Sequence, residues 1–234
     1  MGARIRLLSG GAAQGLVRSL QDRFLAESGY SVEGTFGAVG AMRDKLLAGE
    51  PCDLVILSQA LVSQLIASGQ VIGGSAVPLG TVKTGVAVKA GQPVPDATSA
   101  TALRSALLAA PGIYFPDPVK ATAGIHFMKV LKALGIDQQL ASRLRPFANG
   151  ATAMHEMAQA RESGVIGCTQ VTEILYTPGV QLVGLLPPEF ELATVYTAAV
   201  CTAAQEPKAA GDLIGLLASA DTAALRLAGG FEPV

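Results

Sequence analysis

The sequence predicts an α/β protein of two lobes that are joined by two extended crossover segments. Strand-like runs, glycine-containing turns and helical periodicity alternate from residue 4 onward, as they do in α/β folds. The run CDLVILS at 52–58 is almost entirely apolar, a pattern typical of a strand buried on both faces of a parallel sheet. Two long extended stretches, near 80–90 and 190–202, interrupt the alternation on either side of the middle of the chain.

The first lobe is predicted to begin with three strand–helix pairs. The first strand ends at Ser9-Gly10-Gly11, where a serine hydroxyl can cap the next helix and glycine lets a ligand approach the backbone. The elements are, in order, a strand at 4–9, a helix to about 27, a strand at 30–37, a helix at 38–50, a strand at 52–58 and a helix at 59–69. This alternation implies parallel strands with right-handed crossovers.

In the middle of the chain, strands and helices no longer alternate regularly, and this part is predicted to form the second lobe. Thr98 or Ser99 is expected to cap one helix, and Thr122 to cap another that ends at Gly135. The elements from 78 onward are an extended stretch at 78–91, a strand at 112–118, helices at about 123–134 and 149–164, strands at 165–170 and 180–190, an extended stretch at 191–203, and helices at 209–219 and 220–230.

The two extended stretches place the predicted lobe boundaries. Residues 1–83 and 197–234 are expected to form one lobe, and residues 84–196 the other. Ligands of α/β sheets bind beyond the carboxyl ends of the strands, so a ligand cleft is predicted between the lobes.

Composition excludes several functional classes. The net charge is −1 and no basic run is present, which argues against a nucleic-acid partner. No apolar run approaches the ~18 residues that span a bilayer, so membrane insertion is not expected. The three cysteines, Cys52, Cys168 and Cys201, have no paired spacing, so we interpret them as buried apolar side chains and predict neither a disulfide framework nor a metal site. No cofactor is predicted.

Small hydroxyl residues and glycine recur where strands end and helices begin. They occur at Ser9-Gly10-Gly11, at Thr35-Phe36-Gly37, at Ser58, at Thr122-Ala123-Gly124 and at Thr169-Gln170. Each helix start offers unpaired N–H groups and roughly half a positive charge. Such turns predict a site that binds a compact anion without a salt bridge.

Several of these stretches resemble the molybdate-binding-like solute-binding proteins, which have the type 2 periplasmic binding fold. The resemblance covers nearly the whole chain and is most specific in DPVKATAGIHFMKVLKALGI and SGVIGCTQVTEIL. It implies an anionic ligand, an ABC transporter permease as partner if the protein is exported, and a set of ligand contacts. Those contacts are Ser9, Gly10, Gly11, Phe36, Gly37, Thr122, Ala123 and Gln170.

Two departures from the family pattern point away from molybdate. The stretch GCTQVTE lacks the tyrosine that molybdate binders carry there, and the second turn, TFGAVG, lacks their serine. These differences favour another anion, such as a small organic carboxylate. A branch of the family resembles aconitate isomerase, which moves a proton, and with it a double bond, within a tricarboxylate without a cofactor.

An isomerase needs an acid–base group beside the bound carboxylate. His126, early in a predicted helix, and Lys83, where the first extended stretch leaves the first lobe, are the candidates. A histidine that faces the core or caps the helix, and a solvent-exposed lysine, are the alternative interpretations.

Three functions follow from the sequence. The first is a solute-binding protein for a small oxyanion or carboxylate, the second an isomerase on the same scaffold, and the third an intracellular ligand sensor. Binding ranks first. The protein is expected to be periplasmic if a leader was removed and cytoplasmic if Met1 is the native start.

Overall fold

The computed structural model describes residues 3–234, and the chain divides into two units. The first comprises the chain up to Val82 together with Thr194–Val234, and the second comprises Lys83–Ala193. The elements are, in chain order, β1 (Arg4–Gly10), α1 (Gln14–Ser28), β2 (Ser31–Gly37), α2 (Val39–Leu47), β3 (Leu54–Ser58), α3 (Gln59–Ala67), β4 (Val77–Lys89), α4 (Ala100–Ala109), β5 (Ile113–Pro116), α5 (Thr122–Ala133), α6 (Asp137–Leu140), β6 (Leu144–Phe147), α7 (Gly150–Gln159), β7 (Ile166–Gln170), α8 (Val171–Leu175), β8 (Val180–Leu185), β9 (Ala193–Val200), α9 (Pro207–Ala218) and α10 (Ala223–Ala228).

The sheet of the first unit has the strand order β2-β1-β3-β9-β4. Strands β2 and β3 lie on either side of β1 and run parallel to it, whereas β9 runs antiparallel to β3. The apolar run of β3 is buried as predicted, and Leu54, Val55, Ile56 and Leu57 are each 0% exposed. The carboxyl ends of β1, β2 and β3 therefore share one edge, and α1, α2 and α3 follow from it.

The sheet of the second unit has the strand order β4-β7-β5-β6, and β8 pairs with the other side of β4. Strand β5 runs parallel to both β6 and β7, while β7 and β8 run antiparallel to β4. The rings of Phe115 on β5 and Phe127 on α5 lie 5.4 Å apart in the core. The carboxyl ends of β5, β6 and β7 share an edge, from which α5, α7 and α8 begin.

Both sheets are mixed. The parallel strands that the alternation predicts are present in each of them, and the two extended stretches add antiparallel strands. In the first unit, β9 is antiparallel to β3. It is the strand with which the chain returns to this unit after residue 193. In the second unit β4 runs against β7 and β8. The alternation of strands and helices indicated the parallel parts only, because the two extended stretches carry no sign of their direction.

Two predicted helix caps are wrong. The Ser9 hydroxyl donates a hydrogen bond to the carbonyl oxygen of Gly10 at 2.9 Å, and Gly10 is itself the N-cap of the short 3₁₀ turn that precedes α1. Thr122 is the first residue of α5, and Ala121 is the N-cap. Ser99, by contrast, caps α4 as predicted, since its hydroxyl accepts a hydrogen bond from Ala102 N at 3.2 Å.

Three short elements were not predicted from the sequence. Helix α6 and helix α8 are only one turn long. Strand β6 reads LRPF and is only partly buried, so it shows neither an apolar run nor a clear alternation. Short elements such as these are stabilised mainly by their neighbours, and local sequence gives little sign of them.

The structure buries all three cysteines, as predicted. Within residues 3–234, none of the helices combines the length and the apolarity needed to cross a membrane.

Candidate functional site

Strand register brings the predicted contacts of the first unit to one edge of its sheet. Ser9 is the register partner of Phe36, and Gly10 is the partner of Gly37. On the other side of β1, Ser9 is the partner of Ile56, so Ser58 ends the neighbouring strand two residues later. These residues, together with Gly11 after β1, form a continuous row of turns.

Three helices begin at this row without side-chain caps. Gly10, Ala38 and Ser58 are the N-caps of the 3₁₀ turn before α1, of α2 and of α3, and none of them accepts a side-chain hydrogen bond from its helix. The first-turn N–H groups of a helix need a partner, and a bound anion is a common one. The row is therefore suited to hold negative charge through main-chain donors.

An aromatic ring that was not predicted from the sequence lies against this row. A Cβ atom added to Gly10 would lie 2.8 Å from Val39 Cγ1 and 3.0 Å from Tyr196 Cε1, so the backbone of Gly10 and the tyrosine ring are in close contact. Tyr196 is also the register partner of Ser58. The position of the Tyr196 ring depends on β9 pairing antiparallel with β3, which the local sequence does not indicate.

In the second unit, α5 begins close against the end of β5. A Cβ atom at Gly124 would collide with the carbonyl oxygens of Pro116 and Asp117, so glycine is required for this approach. Its N-cap Ala121 has no side chain that can accept a hydrogen bond. Thr122 and Ala123 thus begin a twelve-residue helix without a side-chain cap. Helices α2 and α3 of the first unit also begin without one.

Gln170 is the predicted contact with the most unusual surroundings. It ends β7, is 2% exposed, and neither its Nε2 nor its Oε1 has a hydrogen-bond partner among the described residues. Its register partner on β4 is Thr84, whose buried Oγ1 also lacks a partner there, as does that of Thr172. Unpaired buried polar groups are costly, so such a cluster is a candidate for ligand contact. Thr84 and Thr172 were not predicted as contacts.

Helix α7 begins at the same edge of the second unit, but its N-terminus is already occupied. The Glu173 carboxylate accepts hydrogen bonds from the N–H groups of Gly150 and Ala151, and from the Thr169 hydroxyl at 2.5 Å. Asn149 Oδ1 accepts the next N–H, that of Thr152, at 2.8 Å. The chain therefore satisfies this helix with its own carboxylate.

Glu173 is nearly completely buried, and burial has the largest effect on its pKa. Burial raises the pKa of the carboxyl group, and the hydrogen bonds from Thr169 and three backbone N–H groups, including that of Gln170, oppose the rise without cancelling it. An acidic residue shortly after TQV is typical of a carboxylate that satisfies a helix start; Glu173 lies in the first turn of α8, and it also satisfies the start of α7.

The two candidate acid–base residues are both bound to one loop. His126 Nε2 lies 2.8 Å from the carbonyl oxygen of Phe190, and Lys83 Nζ lies 3.5 Å from Glu191 Oε2. A carbonyl oxygen can only accept, so Nε2 is the donor of this hydrogen bond and Nδ1 is the ring nitrogen that it does not use. His126 thus contacts the last residue of the short turn Pro188–Phe190, and Lys83 contacts the residue after it.

The sequence matches one family along almost its whole length. The family model described as bacterial extracellular solute-binding protein matches residues 5–232. Among curated proteins, an aconitate isomerase from a Pseudomonas species is 27% identical over 238 residues, covering 98% of this chain and 88% of the relative.

Solved structures show the same fold. The periplasmic molybdate-binding protein of Azotobacter vinelandii aligns with a TM-score of 0.81 and 17% identity, over 97% of this chain and 98% of that one. The sulfate-binding protein of Mycobacterium tuberculosis aligns with a TM-score of 0.76 and 19% identity, over 99% of this chain and 87% of that one. At these identities the likeness concerns the fold and leaves the ligand open.

Proposed function

We propose that this chain, which belongs to the bacterial extracellular solute-binding protein family, binds a small organic anion carrying two or three carboxylates. In the first unit, the proposed anion contacts are the main-chain N–H groups at the starts of α1, α2 and α3. In the second unit, considered by itself, they are those at the start of α5, together with the side chain of Gln170. Delivery of the ligand to an ABC transporter permease is part of the same proposal and rests on family membership.

The observation that carries the proposal is the contrast among helix N-termini. Gly10, Ala38, Ser58 and Ala121 give their helices no side-chain cap, and each lies at the carboxyl end of a strand or in the turn after it. Helix α7, by contrast, receives an internal carboxylate. Uncapped starts at one sheet edge provide donors for oxygen atoms of a ligand without requiring lysine or arginine.

Gln170 favours an organic anion over a bare oxyanion. A side-chain amide can both donate and accept hydrogen bonds. In Gln170, the donor Nε2 and the acceptor Oε1 both lack partners among the described residues. Molybdate and sulfate at neutral pH offer only acceptors, so they would leave Oε1 unpaired. A hydroxyl group or a protonated carboxyl group beside a carboxylate would pair with both atoms.

A thermal-shift panel tests the proposal. We expect citrate to raise the unfolding midpoint by roughly 5–10 °C at saturating concentration, the aconitate isomers, which have no hydroxyl group, to raise it less, and molybdate, tungstate and sulfate to raise it least. Citrate and tricarballylate differ only in a hydroxyl group, so this pair isolates the acceptor Oε1 of Gln170. If molybdate and tungstate alone stabilise the protein, the carboxylate preference is wrong, and if no anion does, anion binding is wrong.

A matched pair of variants separates the site from the fold. Gln170→Leu removes both amide atoms with little change in volume, and we expect about a tenfold weaker affinity for citrate by calorimetry. Gln139→Leu makes the same replacement at an exposed glutamine of the second unit and should leave the affinity unchanged. Equal affinities for both variants would remove Gln170 from the site.

A second candidate function is isomerisation of a small polycarboxylate such as aconitate. The observation that favours it is the similarity to an aconitate isomerase across 98% of this chain. In such a reaction a base removes a proton from carbon, the double bond shifts, and a proton returns at the other end, so no cofactor is consumed. His126 Nδ1 is the proposed base, and Lys83 is proposed to orient a carboxylate.

Proton exchange distinguishes catalysis from binding. The protein is incubated with aconitate in heavy water, and the vinyl proton signal and the isomer ratio are followed by NMR. Isomerisation with deuterium exchange would support the enzyme, whereas tight binding without either would exclude it.

A variant of His126 that keeps the hydrogen bond to Phe190 tests whether this histidine is the catalytic base. His126→Gln keeps a donor that can bond to the carbonyl oxygen of Phe190 while removing the imidazole base. We expect loss of at least about a hundredfold in rate with an unchanged unfolding midpoint. Unchanged turnover would show that His126 only holds the loop.

A further inference from the structure

Two cysteines that are distant in the sequence meet at one end of the sheet of the first unit. Cys52 precedes β3 and Cys201 follows β9, and these strands are antiparallel neighbours through the register pair Leu54–Val200. The pairing continues one step further, since Cys201 N donates a hydrogen bond to the carbonyl oxygen of Asp53 at 2.9 Å. Strand pairing therefore places Cys201 opposite Asp53, the residue that follows Cys52.

The thiol groups themselves are in contact. The Cys201 side chain is hydrogen-bonded to Cys52, and the Cys52 thiol also donates to the carbonyl oxygen of Leu54 at 3.0 Å. Both residues are buried, at 6% and 1% exposure. Disulfides form between side chains that the backbone already holds near each other, so this pair on neighbouring strands is the place where a link is expected.

We propose that Cys52 and Cys201 form a disulfide that fastens the strand β9 to β3 in the first unit. The bond forms by exchange with a small-molecule or protein disulfide. One cysteine thiolate attacks the reagent to give a mixed disulfide, and the other then displaces the second thiol. Two protein thiols are oxidised, one reagent disulfide is reduced to two thiols, and both thiol protons pass to the products.

Burial determines when the bond forms. The hydrogen bond with Cys52 and burial raise the pKa of the Cys201 thiol, so in the folded protein this group remains protonated and reacts slowly. The exchange is therefore expected during folding, while the chain end that carries β9 joins the sheet. A disulfide that closes so long a loop stabilises the folded chain mainly by restricting the unfolded one.

Cys168 is an internal control for this proposal. It lies in the second unit on β7, is 0% exposed, and burial alone raises its pKa. A nonspecific oxidation would involve Cys168 as often as the other two cysteines, whereas an oxidation directed by strand pairing would leave it as a thiol.

Refolding in a redox buffer tests the proposal. The full chain is unfolded, refolded in a mixture of reduced and oxidised glutathione, denatured again and treated with an alkylating reagent, and peptides are identified by mass spectrometry. We expect the wild type and Cys168→Ser to contain a Cys52–Cys201 linked peptide, and Cys52→Ser and Cys201→Ser to contain none. The linked wild type should unfold at a midpoint roughly 5–10 °C above the reduced protein.

Three results would overturn the proposal. They are full alkylation of all three cysteines after refolding, glutathione adducts at Cys52 or Cys201 without a link between them, and links that include Cys168. The double variant Cys52→Ala/Cys201→Ala checks the thermal readout, because its midpoint should not differ between oxidising and reducing buffers.

Discussion

Each unit buries one carboxylate near the start of a helix, and the two carboxylates lie at opposite ends of their sheets. In the first unit Asp53 precedes β3 and accepts hydrogen bonds from Arg6 N at 2.8 Å, Gln205 N at 2.7 Å and Glu206 N at 3.1 Å, just before α9. In the second unit Glu173 lies in α8, after β7, and accepts hydrogen bonds from the start of α7.

The difference shows which helix starts have no buried carboxylate of the chain beside them. Asp53 lies at the amino end of its parallel strand, so it leaves the starts of α1, α2 and α3 untouched. Glu173 lies at the carboxyl edge, where it occupies α7 and leaves α5 beside it without such a carboxylate. The starts of α1, α2, α3 and α5, which have no such carboxylate, are the ones that the proposed function assigns to a ligand.

The largest effect is expected from removing Asp53. Asp53→Ala leaves three backbone N–H groups of the first unit without their buried acceptor, so we expect the free energy of unfolding to fall by about 3–4 kcal/mol. Urea unfolding measures this loss. Glu50→Ala removes a half-buried carboxylate at the surface that is paired with Lys45, and it should change the free energy of unfolding by less than about 1 kcal/mol. Similar losses in the two variants would contradict the role of Asp53.

Glu173→Ala is expected to destabilise the protein by about 2–3 kcal/mol, less than Asp53→Ala. The smaller loss follows from its raised pKa, because burial already makes the charged form of Glu173 less favourable. Gly150→Ala tests the same contact from the other side, since its new Cβ would collide with the Glu173 carboxylate and the Thr169 hydroxyl. A variant of Gly150 with wild-type stability would show that this carboxylate is not held at α7.

Glu173 also makes the stability of the folded chain depend on pH. The folded protein holds the Glu173 proton to a higher pH than the unfolded chain, whose carboxyl has the ordinary pKa of 4.5. The contribution of Glu173 to stability is therefore greatest below that value and falls as the pH rises towards the folded pKa. Urea unfolding between about pH 5 and about pH 8 should show a smaller fall for Glu173→Gln than for the wild type. Parallel pH profiles would rule out this titration.

Helix caps provide a smaller contrast of the same kind. Ser99→Ala removes the hydroxyl that accepts from Ala102 N at α4 and should cost about 1 kcal/mol of stability. Ser58→Ala removes a hydroxyl that does not cap α3. The free energy of unfolding, measured by thermal unfolding, should therefore change by less than about 0.5 kcal/mol. If Ser58→Ala proves as destabilising as Ser99→Ala, α3 is capped in solution and is not a candidate binding turn.

The sequence resemblance to solute-binding proteins and the two-lobed fold are confirmed by the family match and the structural likenesses. The assignment of Ser9, Gly10, Gly11, Phe36, Gly37, Ser58, Thr122, Ala123 and Gln170 to a ligand site remains a prediction. Register nevertheless brings Ser9 beside Phe36 and Gly10 beside Gly37, as a shared sheet edge requires. The caps predicted at Ser9 and Thr122 failed because the backbone around each turn, and not the residue type alone, decides where a hydroxyl points.

The sequence by itself determined the alternation of strands and helices, the buried run of β3 and the turns that end β1, β2 and β3, because periodicity and glycine act over a few residues. Only the tertiary structure decided that Thr84 lies beside Gln170, that Glu173 occupies the start of α7, that Asp53 binds the segment before α9, and that Cys52 contacts Cys201. Each of these contacts joins separate strands or helices. Such contacts depend on how the sheets are assembled, and no local pattern encodes that.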